Sequence, residues 1–153
     1  MSGVRPGVRL AVDVGRARVG LAASDPAGSL AFPVETLPRS SDIVGRIASE
    51  AAERNALEIV VGLPVSLSGG DTPSTADARD VAAALAAAST VPVRLVDERL
   101  STRSAQSALH SAGRTTRSSR SVVDQVAAVI ILQHALDSER SGGRPPGVVV
   151  EPN

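Results

Sequence analysis

The stretch VRLAVDVGRARVGLAA (8–23) decides the fold. A short β-branched run, Val8 to Val14, stops at Gly15. Arg16, Ala17 and Arg18 make a turn, and a second apolar run from Val19 to Ala23 returns, which reads as a β-hairpin. Leu30 to Thr36 adds a third strand that Pro33 restricts to a sheet edge or a bulge. Beyond this meander, Ile43, Ile47 and Ala51 repeat at helical spacing up to Asn55, behind N-cap candidates Ser40, Ser41 and Asp42. LEIVVG (57–62) is almost wholly apolar, as a central parallel strand covered on both faces must be.

A second helix is expected from about Ser74 to Ala88, a strand from Val91 to Val96, a helix from Ser101 or Thr102 to Gly113, and a last helix opening at Ser121. This order predicts an α/β fold: a mixed five-stranded sheet, its first three strands antiparallel and the later ones parallel, with helices on both faces. One domain is expected over 7–138, with a flexible N-terminus at 1–6 and a disordered tail at 139–153.

The 153 residues, 42% of them apolar, suffice for one core without staples. Cysteine is absent, which excludes disulfides, thiolate zinc sites and cysteine nucleophiles. No apolar run is long enough to span a membrane, and the first residues lack the apolar core of a signal peptide, so a cytoplasmic protein without membrane partners is expected. Sixteen basic and sixteen acidic residues cancel, but they are segregated. Residues 99–123 hold Arg99, Arg103, Arg114, Arg117 and Arg120 and no carboxylate, whereas residues 41–80 are rich in acid. Phe32 is the only aromatic residue, so base recognition by stacking platforms is excluded.

Ligands in an open α/β sheet bind at the carboxyl ends of its parallel strands. Asp13 lies at one such end. Asp97 and Glu98 end another, and alternation sends only one of the two toward a given site. Asp124 follows Ser121 by three residues at the start of the last helix. Each has a plain structural alternative: a turn cap for Asp13, solvated strand-end acids balancing Arg99 and Arg103, and a helix capping box for Asp124. Their convergence on one rim favours chemistry. Two like charges about 4 Å apart at an effective dielectric near 20 repel by roughly 4 kcal/mol, so a cation is needed.

Oxygen-only ligands point to Mg²⁺ or Mn²⁺, and two such ions would activate water and stabilise the leaving oxygen of a phosphodiester. Asp13, Glu98 and Asp124 are therefore candidate catalytic and metal-ligating residues of a nuclease. Arg16, Arg18, Arg99, Arg103, Arg114, Arg117 and Arg120 are candidate nucleic-acid contacts. Gly62, Ser68, Gly69 and Gly70 mark a loop whose backbone amides are expected to cradle a phosphate or to serve as a lid.

AVDVGRARVGLAASD (11–25), IVVGLPVSLSGGDTPSTADAR (59–79), LVDERLSTRSA (95–105) and VVDQVAAVIILQ (122–133) together resemble the YqgF/RuvX family of RNase H-like proteins, described as pre-16S rRNA nucleases or Holliday junction resolvases. The resemblance spans about Arg9 to Asp137. It implies an RNase H-like fold, a divalent-metal site at Asp13, Glu98 and Asp124, and trimming of the 5′ end of the small-subunit rRNA precursor in the bacterial cytoplasm. The strand after Asp13's, however, ends in Val61, Gly62 and Leu63 without an acid. Glu98 must then reach across an intervening strand, or Asp71 or Asp97 takes its place.

Structured RNA, namely pre-rRNA within the small-subunit precursor, is the favoured partner. Four-way DNA is the alternative and requires a homodimer rather than a monomer. A non-catalytic RNA-binding assembly factor is a third reading. An actin-like phosphotransferase would need a second domain, for which the chain has no room.

Overall fold

In a computed structural model, the described residues are 4–66, 68–98 and 116–151, with side chains from 125 onward in the last segment. The strands are β1 (Arg9–Val14), β2 (Arg18–Ser24), β3 (Ala31–Pro38), β4 (Glu58–Leu63), β5 (Val93–Asp97) and β6 (Val148–Val149). The described helices are α1 (Ile43–Glu53), α2 (Pro73–Ala88) and α3 (Thr116–Gly142). Among the described residues, no helix is long and apolar enough to cross a membrane. The helix expected over 101–113 lies outside the described residues.

The strands form one sheet in the order β3-β2-β1-β4-β5-β6. β1, β2 and β3 pair antiparallel, β4 joins β1 in parallel, and β5 joins β4 in parallel. Among the described residues the sheet therefore has six strands where five were expected. The sixth comes from the expected tail: α3 runs on to Gly142, and Val148–Val149 pairs antiparallel with β5. Two residues make too short a run to be read as a strand without a partner edge. Pro33 sits on edge strand β3, where its missing N–H costs no central ladder bond.

Alternation along β1 divides the core. Leu10 and Val12 join Ile59, Val61, Val93 and Leu95 under α1 and α2, which contribute Ile43, Ile47, Val81 and Leu85. Ala11 points the other way, with Ala22, Ala31, Val60 and Val96, against Ala128, Ile131, Leu132, Ala135 and Leu136 of α3. Three alanines on this second face leave room for the backbone of α3 to approach the sheet closely.

The amino ends of β1 and β4 carry a network that hydrophobic periodicity cannot reveal. Arg9, Glu58 and Glu139 are all buried. Glu139 of α3 receives Arg9 Nη2 at 3.1 Å and Arg5 Nη2 at 3.0 Å, and Arg5 reaches Glu58 at 2.8 Å. Arg94 Nε closes the chain on Glu58 at 3.2 Å. The Arg5 backbone N–H also donates to Glu139 at 2.8 Å, so Arg5 is pinned although a flexible segment was expected at 1–6.

Burial pushes the Glu139 carboxyl up, but hydrogen bonds from the Arg5 side chain and backbone and the charges of Arg9 and Arg5 outweigh it and hold the group down at about 2, against an ordinary 4.5. A carboxylate depressed on folding adds stability that is complete above its unfolded value and disappears as pH falls through its folded one. Glu139→Ala, which strands Arg9 as a buried cation, should cost about 3–5 kcal/mol in urea denaturation at pH 7. The gap between wild type and Glu139→Gln should shrink as pH is lowered from 4.5 toward about 2.

Candidate active site

The direction of α3 follows from its contacts. Glu139 meets Arg9 at the amino end of β1, whereas Ile131, eight residues earlier, lies against Gly62 near the carboxyl end of β4. β4 is parallel to β1, so α3 runs antiparallel to both. The fifteen residues from Glu139 back to Asp124 rise roughly 22 Å, whereas Arg9 to Asp13 spans only about 13 Å. The amino-terminal part of α3 thus reaches at least as far as the carboxyl rim where β1 ends.

Asp13 is half-buried, paired with Gly20 across β2, and by alternation shares the α3 face with Ala11. Beyond β5, the Glu98 N–H donates to Leu63 O at 3.2 Å and prolongs the β4–β5 ladder by one residue. Alternation is therefore preserved: Val96 lies on the α3 face, exposed Asp97 turns toward the other, and Glu98 returns to the face of Asp13. Asp71 is exposed in the loop before α2.

Gly62 explains how Glu98 crosses the strand between. Expected where the apolar strand passes into the following loop, it lies inside β4, opposite Val96 of β5 and one step beyond Val61, the partner of Val12. A Cβ at Gly62 would collide with Glu98 Oε2 and with Ile131 Cδ1 of α3. One oxygen of the Glu98 carboxylate, Oε2, thus lies buried on top of β4, in space that any side chain would fill. A buried, oxygen-only donor in a cradle kept open by glycine fits a hard divalent cation. Among the described residues no group of three acidic or imidazole side chains lies close enough to hold a metal. Asp124 stands in α3 four residues before buried Ala128, and its side chain lies outside the described residues, as do those of Arg117 and Arg120. Arg99, Arg103 and Arg114 are outside them altogether.

Two of the amides expected to cradle a phosphate in the loop before α2 are engaged within the loop itself. Gly69 N–H donates to Ser66 O at 2.8 Å and Gly70 N–H to Ser66 Oγ at 2.9 Å, so both are spent within the loop, while Ser68 Oγ meets Ser66 Oγ at 3.0 Å. Its far end is fastened by a Thr72–Thr75 capping box, and buried Thr75 also donates to Pro64 O.

Arg16 is exposed in the β1–β2 turn, and half-buried Arg18 opens β2 opposite Pro38. Sequence reasoning missed the residue behind this turn. Arg39 forms a two-pronged pair with Asp77 of α2 at 2.8 and 2.9 Å and donates to Gly15 O at 2.9 Å. The Arg39 hydrogen bond holds the Asp77 carboxyl below its ordinary value, with a further contribution from the charge of Arg16. An arginine just past a strand and an acid on an Ala-rich helix carry no spacing signal that links them.

The model of the RuvX family, described as Holliday junction resolvase, matches residues 7–138. The chain belongs to the RuvX family. It is 59% identical to the "Putative pre-16S rRNA nuclease" of Clavibacter michiganensis subsp. michiganensis, over 98% of this chain and 95% of that protein. The protein of the same name from Leifsonia xyli subsp. xyli is 57% identical over 97% of each. Among solved structures, Thermus thermophilus RuvC in complex with a Holliday junction substrate superposes with a TM-score of 0.55 at 20% identity, covering 92% of this chain and 99% of that one. That likeness establishes the RNase H-like fold. RuvX membership places the chain among the nucleases, hydrolases of the phosphodiester bond.

Gly62→Ala should displace Glu98 or α3. A loss of about 1–3 kcal/mol in thermal or urea denaturation is expected, together with a fall in cleavage rate that stabilising osmolytes do not restore.

Proposed function

We propose that this RuvX-family chain is a metal-dependent nuclease of structured RNA, acting at the 5′ end of the 16S rRNA precursor in the cytoplasm, with Asp13, Glu98 and Asp124 as its catalytic carboxylates. The observation that carries the reading is the passage of Glu98 over Gly62 onto the sheet face of Asp13. The names of the full-length relatives support the RNA substrate.

The three carboxylates would hold Mg²⁺ or Mn²⁺ as two ions, which when bound would lower the pKa of a water so that it can act as hydroxide toward phosphorus, and would supply positive charge for the departing oxygen. The chain itself contributes rigidity. The backbone of Asp13 is fixed in a ladder with β2, and Glu98 Oε2 is packed between β4 and α3, so both carboxylates start from positions the sheet has already set when substrate arrives. Arg16 stands exposed at the same rim, where its guanidinium can meet a phosphate in two-pronged geometry. Arg18, together with Arg99, Arg103, Arg114, Arg117 and Arg120 as the charge segregation of the sequence offers them, would supply further phosphate contacts to a longer substrate.

Asp13→Asn and Glu98→Gln should each lower kcat by roughly 100-fold or more, measured on a 5′-extended 16S leader RNA with Mg²⁺. RNA affinity should change little, and Asp97→Asn should cleave normally. Unimpaired Glu98→Gln with an inactive Asp97→Asn or Asp71→Asn would move the second carboxylate to that residue.

The family's description as a Holliday junction resolvase favours one second reading, cleavage of four-way DNA by a homodimer. A mobile junction assayed beside the leader RNA, with Asp13→Asn as control, separates the two. Binding without cleavage of either, at any Mg²⁺ or Mn²⁺ concentration, would instead leave a ribosome-assembly factor.

A further inference from the structure

We propose that Arg39 is a positioning residue of the nuclease, setting the β1–β2 turn so that Arg16 meets a substrate phosphate; this rests on the reading that the rim around Asp13 is the active site. Two carbonyls of the turn are held by this single residue. The Arg39 backbone N–H donates to Ala17 O at 2.9 Å, and its Nη1 donates to Gly15 O at 2.9 Å. Its guanidinium is itself fixed by Asp77, through Nη1 at 2.9 Å and Nη2 at 2.8 Å. Gly15 N–H closes the hairpin on Arg18 O at 2.9 Å, an approach so close that a Cβ at Gly15 would strike that oxygen.

The peptide bonds here are trans, and a trans peptide directs its N–H opposite to its C=O. With Gly15 C=O turned to Arg39, the Arg16 backbone N–H faces away from Arg39 and Asp77, while the Arg16 guanidinium stays near enough for its charge to act on Asp77. Arg16 therefore presents its main chain from a turn that cannot rotate, and its guanidinium starts from a fixed Cα. Asp13 needs no such support, because the ladder with Gly20 already orders it. Loss of Arg39 should accordingly weaken the grip on substrate and leave the chemical step intact.

Arg39→Ala should raise KM for the leader RNA about tenfold with kcat within about twofold, the signature of lost binding common to ground and transition states. Arg39→Lys should fall between, since a single ammonium cannot hold Gly15 O and also grip both Asp77 oxygens. Asp77→Asn should raise KM in the same direction. The Arg16→Ala/Arg39→Ala double variant should be no worse than the poorer single variant, because both act through one contact.

A merely structural role would lower the melting temperature and the active fraction, cutting kcat at unchanged KM, and would overturn the proposal. So would unchanged kinetics in Arg39→Ala. Tighter RNA binding by Asp77→Asn would also overturn it, by showing that Arg39 itself contacts phosphate when released. Unimpaired cleavage by Asp13→Asn would instead sink the assignment of the active site, a result read independently of any KM.

Discussion

Ionised Glu139, buried between Arg5 and Arg9, is the constraint on which the rest of the molecule depends. A long helix laid over a sheet lined with alanines has little to stop it sliding, since Ala11, Ala22 and Ala31 offer no large knobs to lock a register. A buried carboxylate has no such freedom, because any slip would leave an unpaired charge in the interior. Gln133 on the Ala31 amide and Arg140 on Gly28 O repeat the fastening along the same end of α3. The level of the helix is thus set at the amino ends of the strands, and its other end is delivered to the opposite rim.

Two ends of one sheet therefore carry two kinds of polar chemistry. At the amino end, arginines and glutamates satisfy one another, and the network is closed to solvent apart from Arg5 and, to a lesser degree, Arg94. At the carboxyl end, Asp13 and Glu98 share a face, held by ladder bonds and by packing against α3. Buried ion pairs contribute modestly to net stability compared with apolar packing, but breaking one is costly. The fold uses that asymmetry to fix geometry at a distance from where geometry matters.

Gly62 shows how a missing side chain can be as decisive as a present one. The central strand between β1 and β5 gives up a residue's worth of packing, and the vacated volume is taken by a carboxylate from the strand beyond and a methyl of Ile131. On the other side of the sheet, Arg39 and Asp77 join the β1–β2 turn to α2, so the turn after Asp13 is held by elements remote in the chain.

The amino-acid sequence by itself determined the hairpin, the edge position of the Pro33 strand, the apolar central strand and the α/β class, because these follow from periodicity and turn residues within a few positions of one another. It also singled out Asp13 and, through strand parity, favoured one of the neighbouring acids Asp97 and Glu98 for any one face. Only the tertiary structure decided that Glu98 is the one on Asp13's face, that the missing side chain of Gly62 makes room for its carboxylate, and that the Gly69 and Gly70 amides bond within their own loop. Arg5, Arg39 and the Val148–Val149 strand were illegible for the same reason. Their roles come from partners 134, 38 and about 55 positions away, and pairing across such separations leaves no periodic trace along the chain.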